Sequence, residues 1–118
     1  MSEQFNSFSS PIKKEVVEQI EQLNLSTLQK LHLKLLSHCL EIFKVISNQA
    51  KVDFPTEELL REWCEKESNK LKDKDFSILL YKQMDAAGQK ILDYSQEIGK
   101  PPFELTLEDL IKLTSLEA

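Results

Sequence analysis

Two cysteines and a histidine are the residues of this chain with the most specific chemistry. His32 and Cys39 are seven residues apart in a stretch with helical periodicity, so they lie within about 20° of each other on one face. With Cys64 from a later helix, they would supply the imidazole and thiolate ligands that zinc accepts. Two helical turns separate His32 from Cys39, and no close-spaced pair of cysteines or histidines is present. We therefore predict no metal site and no cofactor, and two reduced thiols in the core.

His38 and Glu67 are two further titratable residues whose positions bear on catalysis. His38 borders a polar strip and precedes Glu41 by three residues, which is ordinary surface pairing. Glu67 follows Cys64 by three residues and precedes Leu71 by four, which places a carboxylate on the apolar side of its helix. A buried acid can act as a general acid, but no spacing identifies a second carboxylate or a nucleophile with its base. We predict that this helix end protrudes, that Glu67 stays in water, and that the protein is not an enzyme.

The charged residues argue against nucleic acid as the main partner. The chain holds 20 acidic and 15 basic residues, for a net charge of -5, and such a protein repels phosphate groups at long range. The lysines between residues 66 and 74 alternate with acidic residues that cancel their field. A tight turn between the first two helices allows a helix-turn-helix alternative, but its exposed strip offers only Lys30, Lys34 and Lys44 and no arginine for base recognition.

Caps and apolar spacing predict the first two helices. Helix 1 begins at Pro11 and ends near Asn24, where a left-handed residue can stop it. Helix 2 spans residues 27–50 and follows a capping box formed by Ser26 and Gln29. Because the connection is so short, the second helix must fold back against or across the first.

The remaining helices are predicted from the same kinds of pattern. Helix 3 opens at Pro55 and Thr56. The charged run over residues 65–75 is predicted to be an exposed helix end plus a connection, with Asp73 or Asp75 capping helix 4, which Gly99 terminates. Gly88 in the middle of helix 4 indicates either a close helix crossing or a local bend. Helix 5 begins after Thr106, which forms a capping box with Asp109, and a hydrophobic staple joins Leu105 to Leu110.

Helix 2 is apolar around most of its circumference. Its apolar residues cover an arc of roughly 240°, about twice what a surface helix needs. We expect this helix to lie at the centre of a bundle or to meet a second chain along one flank. The single tryptophan is the kind of aromatic anchor that fills a core or an interface. The candidate interface residues are Leu33, Leu36, Leu40, Phe43, Trp63, Leu110 and Leu113.

The fold class that follows is all-α, a small bundle of four main helices with a short C-terminal helix. Residues 1–10 read as a flexible leader, and residues 11–118 as a single helical-bundle domain. Only two glycines are present, which excludes a glycine-rich phosphate loop. No secretory signal opens the sequence and no apolar run is long enough for a bilayer, so we expect a cytoplasmic protein without membrane insertion.

The function predicted from these observations is a non-enzymatic protein-protein interaction module. It would act as an adaptor or regulator through apolar helical surfaces and would self-associate as a homodimer or larger homo-oligomer. A nucleic-acid-binding regulator of helix-turn-helix type is the alternative. A helical protein that binds a metal or a small ligand is the third hypothesis.

Overall fold

The chain folds into helices throughout the part that the structure describes. The computed structural model covers residues 14–116, apart from the side chain of Lys74, so the predicted leader and the predicted start of helix 1 lie outside it. The α-helices are α1 (Lys14–Glu21), α2 (Thr27–Ala50), α3 (Glu57–Leu71), α4 (Lys74–Ile98) and α5 (Leu107–Leu116), with a 3-10 turn over Pro102–Glu104. These helices confirm the predicted all-α class. The division into a leader and a single domain stays a prediction.

The predicted capping boxes are present at the starts of α2 and α5. The Ser26 hydroxyl accepts from the Gln29 amide at 3.1 Å, and the Gln29 side chain accepts from the Ser26 amide at 3.0 Å. Thr106 and Asp109 exchange the same two hydrogen bonds at 3.1 Å and 3.0 Å. Each box satisfies amide groups that the first helical turn leaves without partners.

The boundaries of α3 and α4 follow from capping residues as well. Thr56 caps α3 and Asp73 caps α4 through side-chain oxygens, and Gly99 ends α4 with a left-handed φ of 70°. Helix α3 ends at Leu71 with Lys72 as its left-handed C-cap, so the predicted helix end takes up most of the charged run and only Lys72 and Asp73 connect it to α4. The two helices consequently pack along one another as a hairpin.

Helix α2 lies at the centre of the bundle, which was one of the two predicted arrangements. It contacts α1, α3, α4 and α5. Its buried side chains belong to one core cluster that also includes Ile20 from α1, Leu60 from α3, Ile91 from α4 and Leu110 from α5. The wide apolar arc of α2 is therefore largely used within a single chain.

A series of aromatic rings crosses the bundle beside Gly88. The Phe43 and Phe54 ring centroids are 5.4 Å apart in an edge-to-face pair, and Phe54 stacks on Phe103 at 5.6 Å. A Cβ atom at Gly88 would lie 3.4 Å from the Phe43 ring. Gly88 therefore lies where α4 packs against the Phe43 ring of α2, with room for a Cβ atom in ordinary contact.

Candidate interaction surfaces

The first half of α2 carries leucines that no described residue covers. Leu28 is 75% exposed and Leu31 is 61% exposed, and Leu35 is exposed one turn further on. Their spacing of three and four residues places them on one side of the helix. We call these three side chains the leucine face.

The second half of α2 buries part of the same side of the helix. Ile46 follows Leu28 by 18 residues, or five full turns, so the two side chains point in the same direction. Ile42 follows Leu31 by 11 residues and lies within about 20° of it. Both isoleucines are buried. The leucine face is therefore the uncovered continuation of a side that is packed elsewhere in the same helix.

Six of the seven predicted interface residues lie in the core instead of at a surface. Periodicity defined the apolar arc of α2 correctly but could not show which part of it faces the other helices, and four helices cover its centre. These side chains stabilise the fold and would reach a partner only if the core opened. They are Leu33, Leu36, Leu40, Phe43, Leu110 and Leu113.

Trp63, the seventh predicted interface residue, is half-buried on α3. It packs against the core cluster and keeps part of its ring accessible. An amphipathic ring in this position can fill the core with one edge and contact a partner with the other. The structure thus leaves Trp63 available for contact, unlike the other six residues.

The lysines of the α2 polar strip are engaged with acidic or carbonyl groups. Lys30 donates to the backbone carbonyl of Glu21 at 2.7 Å, and Lys34 forms an ion pair with the Glu21 carboxylate. Lys44 pairs with Glu41 at 2.9 Å. The contacts of Lys30 and Lys34 with Glu21 join α1 to α2. The carboxylates of Glu21 and Glu41 offset part of the positive charge of the strip, which reduces its attraction to a DNA backbone.

The two cysteines are buried free thiols. Burial raises the pKa of the Cys39 thiol to about 12, and the neighbouring Cys64 adds to the effect. Burial also raises the pKa of Cys64 to about 12, with Glu67 adding to the shift and Arg61 opposing it. Within residues 14–116, no group of three or more histidine, cysteine, aspartate or glutamate side chains is placed to hold a metal ion.

The two histidines of α2 are only partly buried. His32 was predicted on the buried face with Cys39, but it lies at the edge of the core while the cysteine is fully enclosed. Burial lowers the pKa of His38, which favours its neutral form. Neither histidine meets both cysteines in a cluster suited to zinc.

The prediction that Glu67 stays in water is wrong. The residue is only 4% exposed, because α3 continues past it and stays packed against the bundle. Lys70 donates to its Oε2 atom at 2.8 Å, whereas its buried Oε1 atom has no hydrogen-bond partner among the described residues. An unpaired carboxylate oxygen in the interior costs free energy.

Exposed apolar residues also occur outside α2, and the sequence analysis did not single them out. Ile78 and Leu79 are exposed near the start of α4. The apolar stripe of α4 begins with Phe76 and Leu80, and both exposed residues lie off that stripe. This offset was the available indication that they would face away from the core.

A groove runs between the second half of α2 and the turn that follows α4. Its volume is about 780 Å³, and its walls include Val45, Val52, Pro101, Pro102 and Phe103. We call it the proline groove. A smaller pocket of about 200 Å³ lies between α2, α3 and α4 beside the Phe43 and Phe54 rings.

The fold and these surfaces define a small all-α protein whose outward features are apolar helix surfaces and a groove. No helix among the described residues is both long enough and apolar enough to cross a membrane. Residues 12–118 match the model of the family described as NDH complex assembly factor CRR9, so the chain belongs to that family. No curated protein and no solved structure matches the chain.

Proposed function

We propose that this protein is a non-enzymatic assembly factor that binds a component of an NDH complex on the leucine face. Family membership supports the assembly role. The observation that carries the docking site is the exposure of Leu28, Leu31 and Leu35 on one side of α2. Covering apolar surface is favourable by about 25 cal/mol per Å² removed from water.

The size of the leucine face suits a temporary contact. Three side chains form a smaller patch than permanent complexes use, and small interfaces are typical of transient association. An assembly factor must release its client once the complex is built. The small area of the patch allows the client to be released. Its place on a rigid central helix allows the client to bind without rearrangement of the fold.

The test is recovery of complex components with the tagged full-length protein from cells that contain the NDH complex. We expect the wild-type protein to enrich those components and Leu31→Asp to lose them, because a carboxylate in the patch must be desolvated on binding. Ile78→Asp is the matched control, since it places the same charge on an exposed apolar site of α4.

Two results would contradict the proposal. Normal accumulation of the NDH complex in cells that lack the protein would remove the assembly role. Equal recovery of components by wild type and Leu31→Asp would remove the leucine face as the docking site. Melting curves of both variants, followed by circular dichroism, verify that the exposed substitutions leave the fold intact.

The nucleic-acid alternative has less support than the assembly role. Helix α2 is packed by four other helices, and its strip lysines already have partners in Glu21 and Glu41. A helix that reads DNA must present free donors to the major groove. A mobility-shift assay at low salt with mixed DNA and RNA would show retarded bands if this alternative were correct.

Self-association and a cytoplasmic location belong to the same proposal. A second copy of α2 could cover the leucine face, because positions i, i+3 and i+7 form a seam of the kind that pairs helices. The free thiols of Cys39 and Cys64 support a reducing compartment such as the cytoplasm. Cell fractionation with an antibody to the protein tests the location.

A further inference from the structure

The proline groove is a second surface with the dimensions of a binding site. A volume of about 780 Å³ falls within the range of ligand pockets, and the groove is open to solvent. Val45 on one wall is 46% exposed, although it is a β-branched apolar residue in the middle of a helix. The groove is separate from the leucine face, which lies on the first half of α2.

The opposite wall of the groove is held in place by the core. Phe103 stacks on Phe54, which in turn meets the buried Phe43 ring. The Pro102 carbonyl accepts from the Leu105 amide at 3.3 Å, and the Pro101 carbonyl accepts from the Glu104 amide at 2.9 Å. A preformed wall lowers the entropy cost of binding, because little has to be ordered when a ligand arrives.

The chemistry of the walls indicates an apolar side chain in the ligand. Proline has no backbone N–H, and the carbonyls of Pro101 and Pro102 are already used within the turn. Together with Val45 and Val52, these residues offer ring and methyl surface, and Ser47 and Asn48 add polar groups to the lining. An aliphatic or aromatic side chain is the group that such a surface binds best.

The charges that line the groove leave one carboxylate unbalanced. Glu41 and Lys44 pair with each other at 2.9 Å and cancel. Asp53 is exposed and has no hydrogen-bond or ion-pair partner among the described residues. The groove therefore favours a ligand with a positive charge beside its apolar group.

We propose that the proline groove binds an extended segment of a protein partner in which a large apolar side chain lies next to a lysine or arginine. This inference rests on the proposed function, because an assembly factor has a protein partner. The groove would add a second contact to the one at the leucine face. Two weak contacts on one client raise the overall affinity through effective concentration.

The test uses the purified full-length protein and a random library of twelve-residue peptides. Selection should enrich sequences that combine one large apolar residue with a neighbouring lysine or arginine. Measured by fluorescence polarisation, the enriched peptides should bind Val45→Asp at least about tenfold more weakly than wild type. Ile78→Asp is the control and should bind them as well as wild type does, because it places the same charge on an exposed apolar site of α4 outside the groove.

Charge reversal at Asp53 gives a second readout that loss of folding cannot imitate. When the same library is selected on the Asp53→Lys protein, the enriched peptides should carry an acidic residue beside the large apolar residue instead of a lysine or arginine. The groove proposal fails if no peptide is enriched, or if enriched peptides bind Val45→Asp and wild type equally. The recovery of complex components in cells is scored separately, so the groove can fail while the assembly role stands.

Discussion

Glu67 has the most unfavourable environment of any charged residue in the described chain. Its Oε1 atom is buried without a partner, and its Oε2 atom relies on Lys70, which is itself half in solvent. Removing a carboxylate from water is expensive, and one ion pair with an exposed lysine offsets only part of that cost. The residue therefore weakens the fold at its position on α3.

Replacing this carboxylate with an apolar side chain of similar length should stabilise the protein. We expect Glu67→Met to raise the free energy of unfolding by about 1 to 2 kcal/mol, because the desolvation cost disappears while the packing remains. Urea denaturation at pH 7 measures the change. Glu65→Met is the control, since Glu65 is exposed on the same helix and should alter stability by less than about 0.5 kcal/mol. A loss of stability in Glu67→Met would contradict this account.

The buried thiols should be inert in the folded protein. Because burial raises the pKa of Cys39 and of Cys64 to about 12, almost no thiolate is present at pH 8. We expect an Ellman assay at pH 8 to detect neither thiol until guanidinium unfolds the chain. Ser115→Cys is the matched control, because Ser115 is exposed and should add one rapidly reacting thiol.

The same pKa shifts have a consequence for stability. Because the folded protein holds these thiols protonated, their burial contributes fully to the free energy of unfolding below the usual thiol pKa of 9.0. This contribution is lost as the pH rises from 9.0 toward 12, because the unfolded chain then releases the thiol protons. Rapid modification of Cys39 in the native protein at pH 8 would show that the interior opens readily.

At the scale of single elements, the start of α5 depends on Asp109. This carboxylate accepts from the Thr106 amide at 3.0 Å and pairs with Lys100 at 2.8 Å, so it ties the helix to the loop after α4. These hydrogen bonds, that of Lys100 first, lower the pKa of Asp109 to about 2. A lowered pKa means that the contribution to stability is present above the usual value near 4 and is lost as the pH falls through 2.

Removing the charge of Asp109 should therefore lower the free energy of unfolding most near neutral pH. We expect Asp109→Asn to unfold at lower urea concentration than wild type at pH 7, with the difference closing as the pH falls from about 4 toward 2. Glu104→Gln serves as the comparison, because Glu104 is an exposed carboxylate with no ion pair among the described residues. A pH-independent difference in Asp109→Asn would mean that the charge is not what holds α5.

The crossing of α2 and α4 at Gly88 can be probed by adding volume in steps. An alanine Cβ would lie 3.4 Å from the Phe43 ring, which is an ordinary contact, and alanine favours the helix by about 1 kcal/mol over glycine. We expect Gly88→Ala to keep or raise the melting temperature. Gly88→Val should lower it, because additional methyl groups would overlap the Phe43 ring. Equal melting temperatures for the two variants would show that the crossing is loose.

At the scale of the whole molecule, the exposed apolar surface is concentrated where a second protein chain could cover it. The three leucines of the leucine face point in one direction and continue a side of α2 that is partly packed in the second half of that helix. Isolated exposed leucines scattered over a surface would point in different directions. If a copy of the same chain covers it, sedimentation at tens of micromolar should show a dimer. Leu31→Asp should then sediment as a monomer and Ile78→Asp as a dimer. A strictly monomeric wild type would restrict the leucine face to other partners.

The capping residues show how much of this fold the sequence determined by itself. Ser26 with Gln29 and Thr106 with Asp109 find their hydrogen-bond partners three residues away, so local contacts mark where α2 and α5 begin. The left-handed end of α4 at Gly99 is local in the same sense. Periodicity likewise established that the chain is all-α and that α2 needs neighbours on several sides.

The tertiary structure decided which of the apolar and titratable side chains remain accessible. Leu31 and Leu36 belong to the same apolar arc of α2, yet one is mostly in water and the other is fully buried. Spacing within α3 places Glu67 on the apolar side of its helix, but only the packing of α3 against the bundle shows that this end of the helix is buried. Burial is set by contacts between segments far apart in the chain, whereas caps and periods are set by neighbours within one or two turns.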